Sequence, residues 1–366
     1  MHREAGEKRD FLPSFVTALD AAGSEEIVVE KGYGSGMGID ESSYEAASSR
    51  LAWGDLGDCL QQDAVIQVRC LDEEHFEHLG PKSILLSMLH YTTRPERVRR
   101  LAELGIHAIS MDGLIDDGGR RLVENLAAVA CDGVEAAFVE LAKTHPAFDD
   151  PGRPPLRVTV LGSGAVGSHV VRSASRYGDQ QLRDALVAKG VKGVEVVVVD
   201  YDLTGHEAYM RSVLSTTDLL VDATQRLDST VHVIPNRWLA SLPGHAVVLD
   251  LSVDPYNFSV TPPIVKGIEG LPQGSLDQFV FYQDDPAYEE LDPRISTEHR
   301  RVALSCYSWP GRRPRECMEV YGAQLEPFLD VLLNKPADTW DSNSPSLYER
   351  ALARAELGRW LEVRGA

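Results

Sequence analysis

The stretch Val158–Ser168, VTVLGSGAVGS, decides how this chain is read. Alternating apolar and small residues run into Gly162, Gly164 and Gly167, and apolar residues continue from Val166 through Val170 and Val171 to Ala174. The pattern predicts a buried strand, a tight turn and the start of a helix. In such a unit the first glycine permits the turn, the second lets a pyrophosphate approach the backbone, and the third lets the helix pack closely on the strand. Free N–H groups at the helix start then face the phosphate charge. Gly162, Gly164 and Gly167 are therefore expected to bind a cofactor. A second glycine-rich run, GYGSGMG at 32–38, also follows an apolar segment, Ile27–Val29. It leads into an acidic, serine-rich segment instead of an apolar helix and predicts a surface loop.

A dinucleotide fold also calls for an acidic residue at the end of the next strand. VEVVVVD ends in Asp200, 33 residues after Gly167, where the usual spacing is about 20. The helical segment QQLRDALVAKG accounts for the excess. A carboxylate at this place accepts bonds from the adenine-ribose hydroxyls and repels a 2′-phosphate. The expected cofactor is therefore NAD, not NADP, with Asp202 as the alternative ribose ligand.

At 366 residues the chain is long enough for two domains. Its formal net charge of −20 argues against nucleic-acid and anionic-membrane partners. A small anionic substrate held by a few arginines remains compatible with it. No apolar run reaches membrane-spanning length, and MHREAGEKRD lacks the apolar core of a secretory signal. Cys59, Cys70, Cys131, Cys306 and Cys317 are scattered without CxxC spacing, as expected of free thiols in a cytoplasmic protein. His75 and His78 form an HxxH on an acidic segment that reads as a solvated face, and no metal site is expected.

Along the chain, strands alternate with helices, the signature of parallel α/β structure. DAVIQVRC at 63–70 and SILLSMLHY at 83–91 are expected strands, the second ending at His90. RPERVRRLAELG is an amphipathic helix closed by Gly105, and IHAISMD is another strand. ENLAAVACDGVEAAFVELAKTH is expected to be a long helix with a break near Gly133, and PAFDDPGRPPLR to cross between domains. Further strands are expected in DLLVDAT and AVVLDLSVD. A terminal helix is expected in SLYERALARAELGRWLEVR, started by Ser344 and Pro345.

Several segments together resemble one family. VEKGYGSGMGIDESSYEAA, MLHYTTRPE, PGRPPLRVTVLGSGAVG, VVLDLSVD and WPGRRPRECMEV are similar, in order and spacing, to segments of the alanine dehydrogenase and saccharopine dehydrogenase superfamily. That superfamily also includes the transhydrogenase nucleotide-binding subunit. The resemblance implies two Rossmann-like, doubly wound α/β domains with an inter-domain cleft. It places 1–133 with 314–366 in a substrate domain and 134–313 in an NAD-binding domain.

His90 is the first candidate for acid–base work. It ends an apolar strand, where α/β proteins collect functional groups, and histidine suits proton transfer near neutral pH. The family's catalytic histidine has the matching position. At Arg69 the family carries a lysine used in substrate binding or proton transfer. Arginine stays charged and offers a planar fork to a carboxylate, but cannot act as a base at pH 7. Arg69 is thus expected at the catalytic centre as a carboxylate clamp. The resemblance also assigns Arg9 to substrate-carboxylate binding, with Lys8 as the alternative. Arg315, at a helix start, is a further substrate-binding candidate. Asp254, taken as the end of LDLSVD, matches the family's acidic residue near the nicotinamide and substrate amine. It is expected to serve both catalysis and cofactor binding, while Asp250 is expected to be structural. Arg312 and Arg313 read as solvated charges, and Arg120 and Arg121 as possible neighbours of the cofactor.

The expected activity is that of an NAD-dependent oxidoreductase acting on the C–N bond of an amino acid or an opine- or saccharopine-like secondary amine. Its substrate is expected to be a small amino acid or 2-oxo acid, and oligomerisation is open. Two alternatives are a repurposed member acting on an unusual N-substituted amino acid, and a non-catalytic NAD-binding sensor.

Overall fold

Short apolar runs bounded by polar turns supply the strands of both units into which the chain divides in a computed structural model, which describes residues 1, 7–226 and 228–364. The first unit is Met1–Asn125 with Arg313–Ala366, and the second is Leu126–Arg312.

In the first unit, β1 (Ile27–Glu30) pairs in parallel with β2 (Leu51–Gly54). A three-stranded parallel sheet has the order β3 (Ala64–Arg69), β4 (Ile84–Met88), β5 (His107–Ser110). The middle residues of β3 and β4 are buried in continuous runs, as parallel strands covered on both faces require. The helix Pro95–Leu104 starts with proline, whose missing N–H costs nothing there, and stops at Gly105, whose φ of 66° suits glycine. Phe11, Phe15, Tyr44, Ile66, Leu86 and Ile109 share one core with Leu325, Phe328, Trp340 and Leu352 of the C-terminal segment. Full burial of each such aliphatic or phenyl side chain contributes about 1.5–3 kcal/mol.

Two expectations for this unit change. The run at 32–38 is an inward-packed turn, not a surface loop: Tyr33 and Met37 are buried, and the Gly34 N–H donates to the buried Asp10 Oδ2 at 2.7 Å. Gly34 has φ 85°, and a Cβ there would lie 2.5 Å from the Tyr44 ring. The terminal helix is capped by Ser346 and is interrupted. It runs Leu347–Ala355 and Leu357–Arg364, because Glu356 turns extended and bridges Ile109 of β5.

The second unit holds β6 (Leu156–Leu161), β7 (Val194–Val199), β8 (Leu219–Asp222), β9 (Val247–Asp250), β10 (Val280–Phe281) and β11 (Val302–Ser305). Their order in the sheet is β7-β6-β8-β9-β11-β10, all parallel except β10. The parallel strands thus run 2-1-3-4-5, a doubly wound order whose switch point lies between β6 and β8. Alternate residues feed opposite faces: Leu219 and Val221 join a cluster with Val158 and Val160, while Leu220 joins Leu161, Met210 and Trp238.

The helix Leu126–Thr144 runs through Gly133 without a break. A Cβ at Gly133 would lie 2.4 Å from a Leu251 methyl, so this glycine admits close helix–sheet contact. The first unit accordingly ends before this helix, not within it at 133, and the second ends at Arg312.

Candidate functional site

At the carboxyl end of β6 the chain turns through Gly162 with φ 92°. Its N–H donates to the Val199 carbonyl of β7, 2.9 Å away. A Cβ at Gly162 would meet the Ala223 carbonyl oxygen at 2.9 Å, and one at Gly167 would lie 2.1 Å from the Gly162 oxygen. Both glycines are required by backbone crowding. Gly164 differs: a Cβ there would meet nothing within 4 Å. Gly164 is the N-cap of the helix Ala165–Ala174 and offers no side-chain cap. The first-turn N–H groups of Ala165, Val166 and Gly167 have no acceptor within the helix and face the space beside Gly164. This donor set suits a pyrophosphate. Asp200 ends β7, accepting from the Ser163 hydroxyl and, at 2.9 Å, from the Tyr201 N–H. Those two bonds hold its carboxyl below the usual range. An ionised carboxylate beside the turn suits a ribose diol and disfavours a 2′-phosphate.

At the ends of β8 and β9, Asp222 and Asp250 are register partners. Both are buried. The Lys266 ammonium donates to Asp250 Oδ2 at 2.8 Å and to Gln273 Oε1 at 2.8 Å. Ser305 also donates to Asp250, at 3.0 Å. Burial and the Asp250 charge push Asp222 up to about 6. Burial opposes ionisation of Asp250 as well, but Lys266 holds that carboxyl low. The strand ends at Asp250, so Asp254 lies four residues beyond it, in a turn where Val253 has φ 52°. Asp254 Oδ2 accepts from Arg226 Nη2 at 2.7 Å, and this guanidinium also donates to the Val231 and Val265 carbonyls. The Arg226 side chain is only 5% exposed.

In the first unit, Arg69 ends β3 opposite Met88 of β4, and His90 follows two residues later. His90 has φ 51°, a left-handed conformation that costs a non-glycine residue about 1–2 kcal/mol. Asp112, just past β5, holds it there. Its Oδ1 accepts from the His90 N–H at 3.2 Å and from the Ser110 hydroxyl at 2.5 Å, and its Oδ2 lies 3.4 Å from His90 Nδ1. Burial works against the Asp112 charge, but the imidazole and these bonds keep the carboxyl far below its ordinary value. The His90 side chain is 49% exposed, so its outer nitrogen is reachable.

The remaining candidates are engaged by other partners. Arg9 forms a bidentate pair with Glu7, Nε to Oε1 at 2.9 Å and Nη2 to Oε2 at 2.7 Å, with both side chains buried. Arg315 donates from Nε to the Met37 carbonyl and from Nη2 to the Gly38 carbonyl, both at 2.8 Å, tying its helix to the 32–38 turn. Arg312 is not a solvated charge: it donates to the Asp132 carbonyl and lies over the Phe279 ring. Asp112, Arg226, Asp222 and Lys266 were missed in the sequence. Asp112 and Asp222 carried a readable signal, an acid at or just past a strand end, the same pattern that singled out Asp200.

Residues 3–130 match the family model described as the alanine dehydrogenase/PNT N-terminal domain. The fold is shared with an L-alanine dehydrogenase, at TM-score 0.68 and 18% identity over 97% of this chain and 92% of that one. Over those N-terminal residues the chain is similar to the alanine dehydrogenase and transhydrogenase families. Transhydrogenase from Sinorhizobium meliloti has the same fold at TM-score 0.59 and 15% identity, over 97% of this chain and 96% of that chain. Among sequence relatives, alanine dehydrogenase of Halomonas elongata is 23% identical over 253 residues. That match covers 63% of this chain and 64% of the Halomonas enzyme, just under two thirds of its length. Alanine dehydrogenase 1 of Staphylococcus aureus is 22% identical over 265 residues, 66% of this chain and 68% of the relative. Among the described residues, no helix is long and apolar enough to cross a membrane.

Proposed function

We propose that the chain is an NAD-dependent oxidoreductase acting on the C–N bond of an amino acid or of an opine- or saccharopine-like secondary amine. The observation that carries this proposal is the His90–Asp112 pair: an exposed imidazole at a strand end, with a part-buried carboxylate 3.4 Å from its Nδ1. Alanine dehydrogenase relatives and the fit of the glycine turn to a dinucleotide support it.

In the oxidative direction NAD, when bound, would supply the hydride acceptor for the C–H bond of the neutral substrate amine. The substrate is then an iminium, to which water adds. His90 takes the proton released as the hydroxyl forms and returns one to the nitrogen as the C–N bond breaks. The products are a 2-oxo acid and an amine, with one proton released overall. Asp112 steadies the imidazolium formed between the two transfers. Arg69 holds a substrate carboxylate through its fixed charge, and Asp200 and the first-turn N–H groups of the Ala165–Ala174 helix hold the dinucleotide.

One ion pair favours the variant reading of an N-substituted amino acid as substrate. Asp254 is paired with Arg226. A carboxylate already paired with a guanidinium offers little to a primary ammonium. NADH consumption with pools of 2-oxo acids and amines, and NAD reduction with amino acids and opines, test the proposal. Turnover that is lost in His90→Ala supports it. Thermal stabilisation by NAD with no turnover in any pool points to a non-catalytic NAD-binding protein.

A further inference from the structure

The amino-terminal edge of the six-stranded sheet, the opposite edge from the glycine turn, carries a second group of polar side chains. Asp218 directly precedes β8 and His245 lies two residues before β9. His145 follows the helix Leu126–Thr144. His245 Nε2 is 2.8 Å from Asp218 Oδ1, and His145 Nε2 is 3.8 Å from the same oxygen. The two imidazole rings meet edge to face, with centroids 4.5 Å apart. One ligand atom from each of the three side chains lies within 4.8 Å of the others. Among the described residues, no other set of three histidine, cysteine or acidic side chains converges this closely.

We propose that His145, Asp218 and His245 bind a divalent cation of the zinc class through two imidazole nitrogens and one carboxylate oxygen. Metal–ligand bonds of about 2.0–2.1 Å in a tetrahedron place ligand atoms roughly 3.3 Å apart, and the observed 2.8 and 3.8 Å lie on either side of that spacing. Three protein ligands leave a position for water.

The ligands are held by their own surroundings. Asp218 is fixed through its backbone, donating to the Arg157 carbonyl and accepting from the Val247 N–H, each at 2.9 Å. Its other oxygen, Oδ2, accepts from the Arg157 N–H at 2.7 Å, which aims Oδ1 at the imidazoles. Thr144 Oγ1 donates to the His245 carbonyl at 2.7 Å, joining the two histidine segments. All three side chains are largely covered, at 12%, 15% and 25% exposure for His145, Asp218 and His245. Such outer-shell bonds orient metal ligands and add to affinity.

Two contacts oppose the metal. The His245 Nε2 hydrogen bond to Asp218 Oδ1 must give up its proton. The Ala147 N–H donates to His145 Nδ1 at 3.2 Å, which puts the ring proton on Nε2. Metal binding at Nε2 moves that proton to Nδ1 and breaks this long bond. The site is therefore expected to bind more weakly than one whose histidines already carry Nδ1 protons.

The test is a zinc titration of chelator-stripped full-length protein against a chromophoric competitor. One zinc per chain with micromolar or tighter affinity is expected. X-ray absorption should show a first shell of nitrogen and oxygen, without sulfur, at about 2.0–2.1 Å. Asp218→Asn removes the ligand charge and keeps one oxygen, which can accept from the Arg157 N–H or from His245 but not from both. It should still fold, with a modest fall in thermal midpoint in the absence of metal, and lose about tenfold or more in zinc affinity, and His245→Ala about 100-fold. His75→Ala with His78→Ala should bind zinc like the wild type. The absence of stoichiometric zinc binding overturns the proposal and leaves the cluster a hydrogen-bonded clamp. So does zinc binding that Asp218→Asn and His245→Ala leave unchanged.

Discussion

The turn after β6 and the turn after β4 both follow buried parallel strands, yet one is made of backbone and the other of side chains. After β6, crowding dictates the residues: at Gly162 and Gly167 a Cβ would come within 2.9 Å and 2.1 Å of carbonyl oxygens. The groups offered to a ligand are peptide N–H groups, the same in any sequence that can make the turn. After β4 the backbone is no less constrained, with His90 at φ 51°, but a histidine occupies the position. Asp112 and Ser110, from the neighbouring strand end, hold it there. A backbone site tolerates change everywhere except at its glycines. A side-chain site depends on each partner, and its chemistry can be redirected by substituting one.

The largest effect expected from breaking this comparison is at Gly167. Gly167→Val forces the helix away from the strand and should abolish NAD binding, seen as loss of NAD-dependent thermal stabilisation. His90→Ala should leave NAD affinity intact and lower turnover by about 10²–10⁴-fold, measured by nicotinamide absorbance with an active substrate pool. Asp112→Asn should cost less, about tenfold in turnover with NAD affinity intact, measured in the same assay.

The smallest effect concerns stability at the ends of β8 and β9. Asp222 has its folded pKa pushed up to about 6, above its value in an unfolded chain. Its contribution to stability is therefore complete below the unfolded value and is lost as pH rises through about 6. The melting temperature should fall over that window, and Asp222→Asn should flatten the fall.

How much of this was legible in the sequence follows from the same contrast. The strand Leu156–Leu161, the glycine turn, the helix after it and Asp200 at the end of β7 all follow from local pattern, because local sterics set them. His90 and Arg69 were legible as strand ends, and their neighbourhood follows from parallel register. What could not be read depended on partners distant in sequence. Gly133 looked like a helix break and proved to be a contact surface for Leu249 and Leu251. Asp254 looked like a free strand-end acid, but Arg226, 28 residues earlier, pairs with it. Arg9 looked available to substrate, but Glu7 takes both arms of its fork. The interruption at Glu356 comes from a bridge to Ile109, which no helical periodicity reveals.

The most direct test of the account is Gly164→Val, read by two measurements on one protein. A Cβ at Gly164 meets nothing within 4 Å, so the variant should fold, losing about 1 kcal/mol as a poorer N-cap. A pyrophosphate on the first-turn N–H groups needs that space, so NAD affinity should fall by at least about tenfold, more than 1.4 kcal/mol. NAD bound as tightly by the variant as by the wild type would contradict the placement of the dinucleotide at this turn.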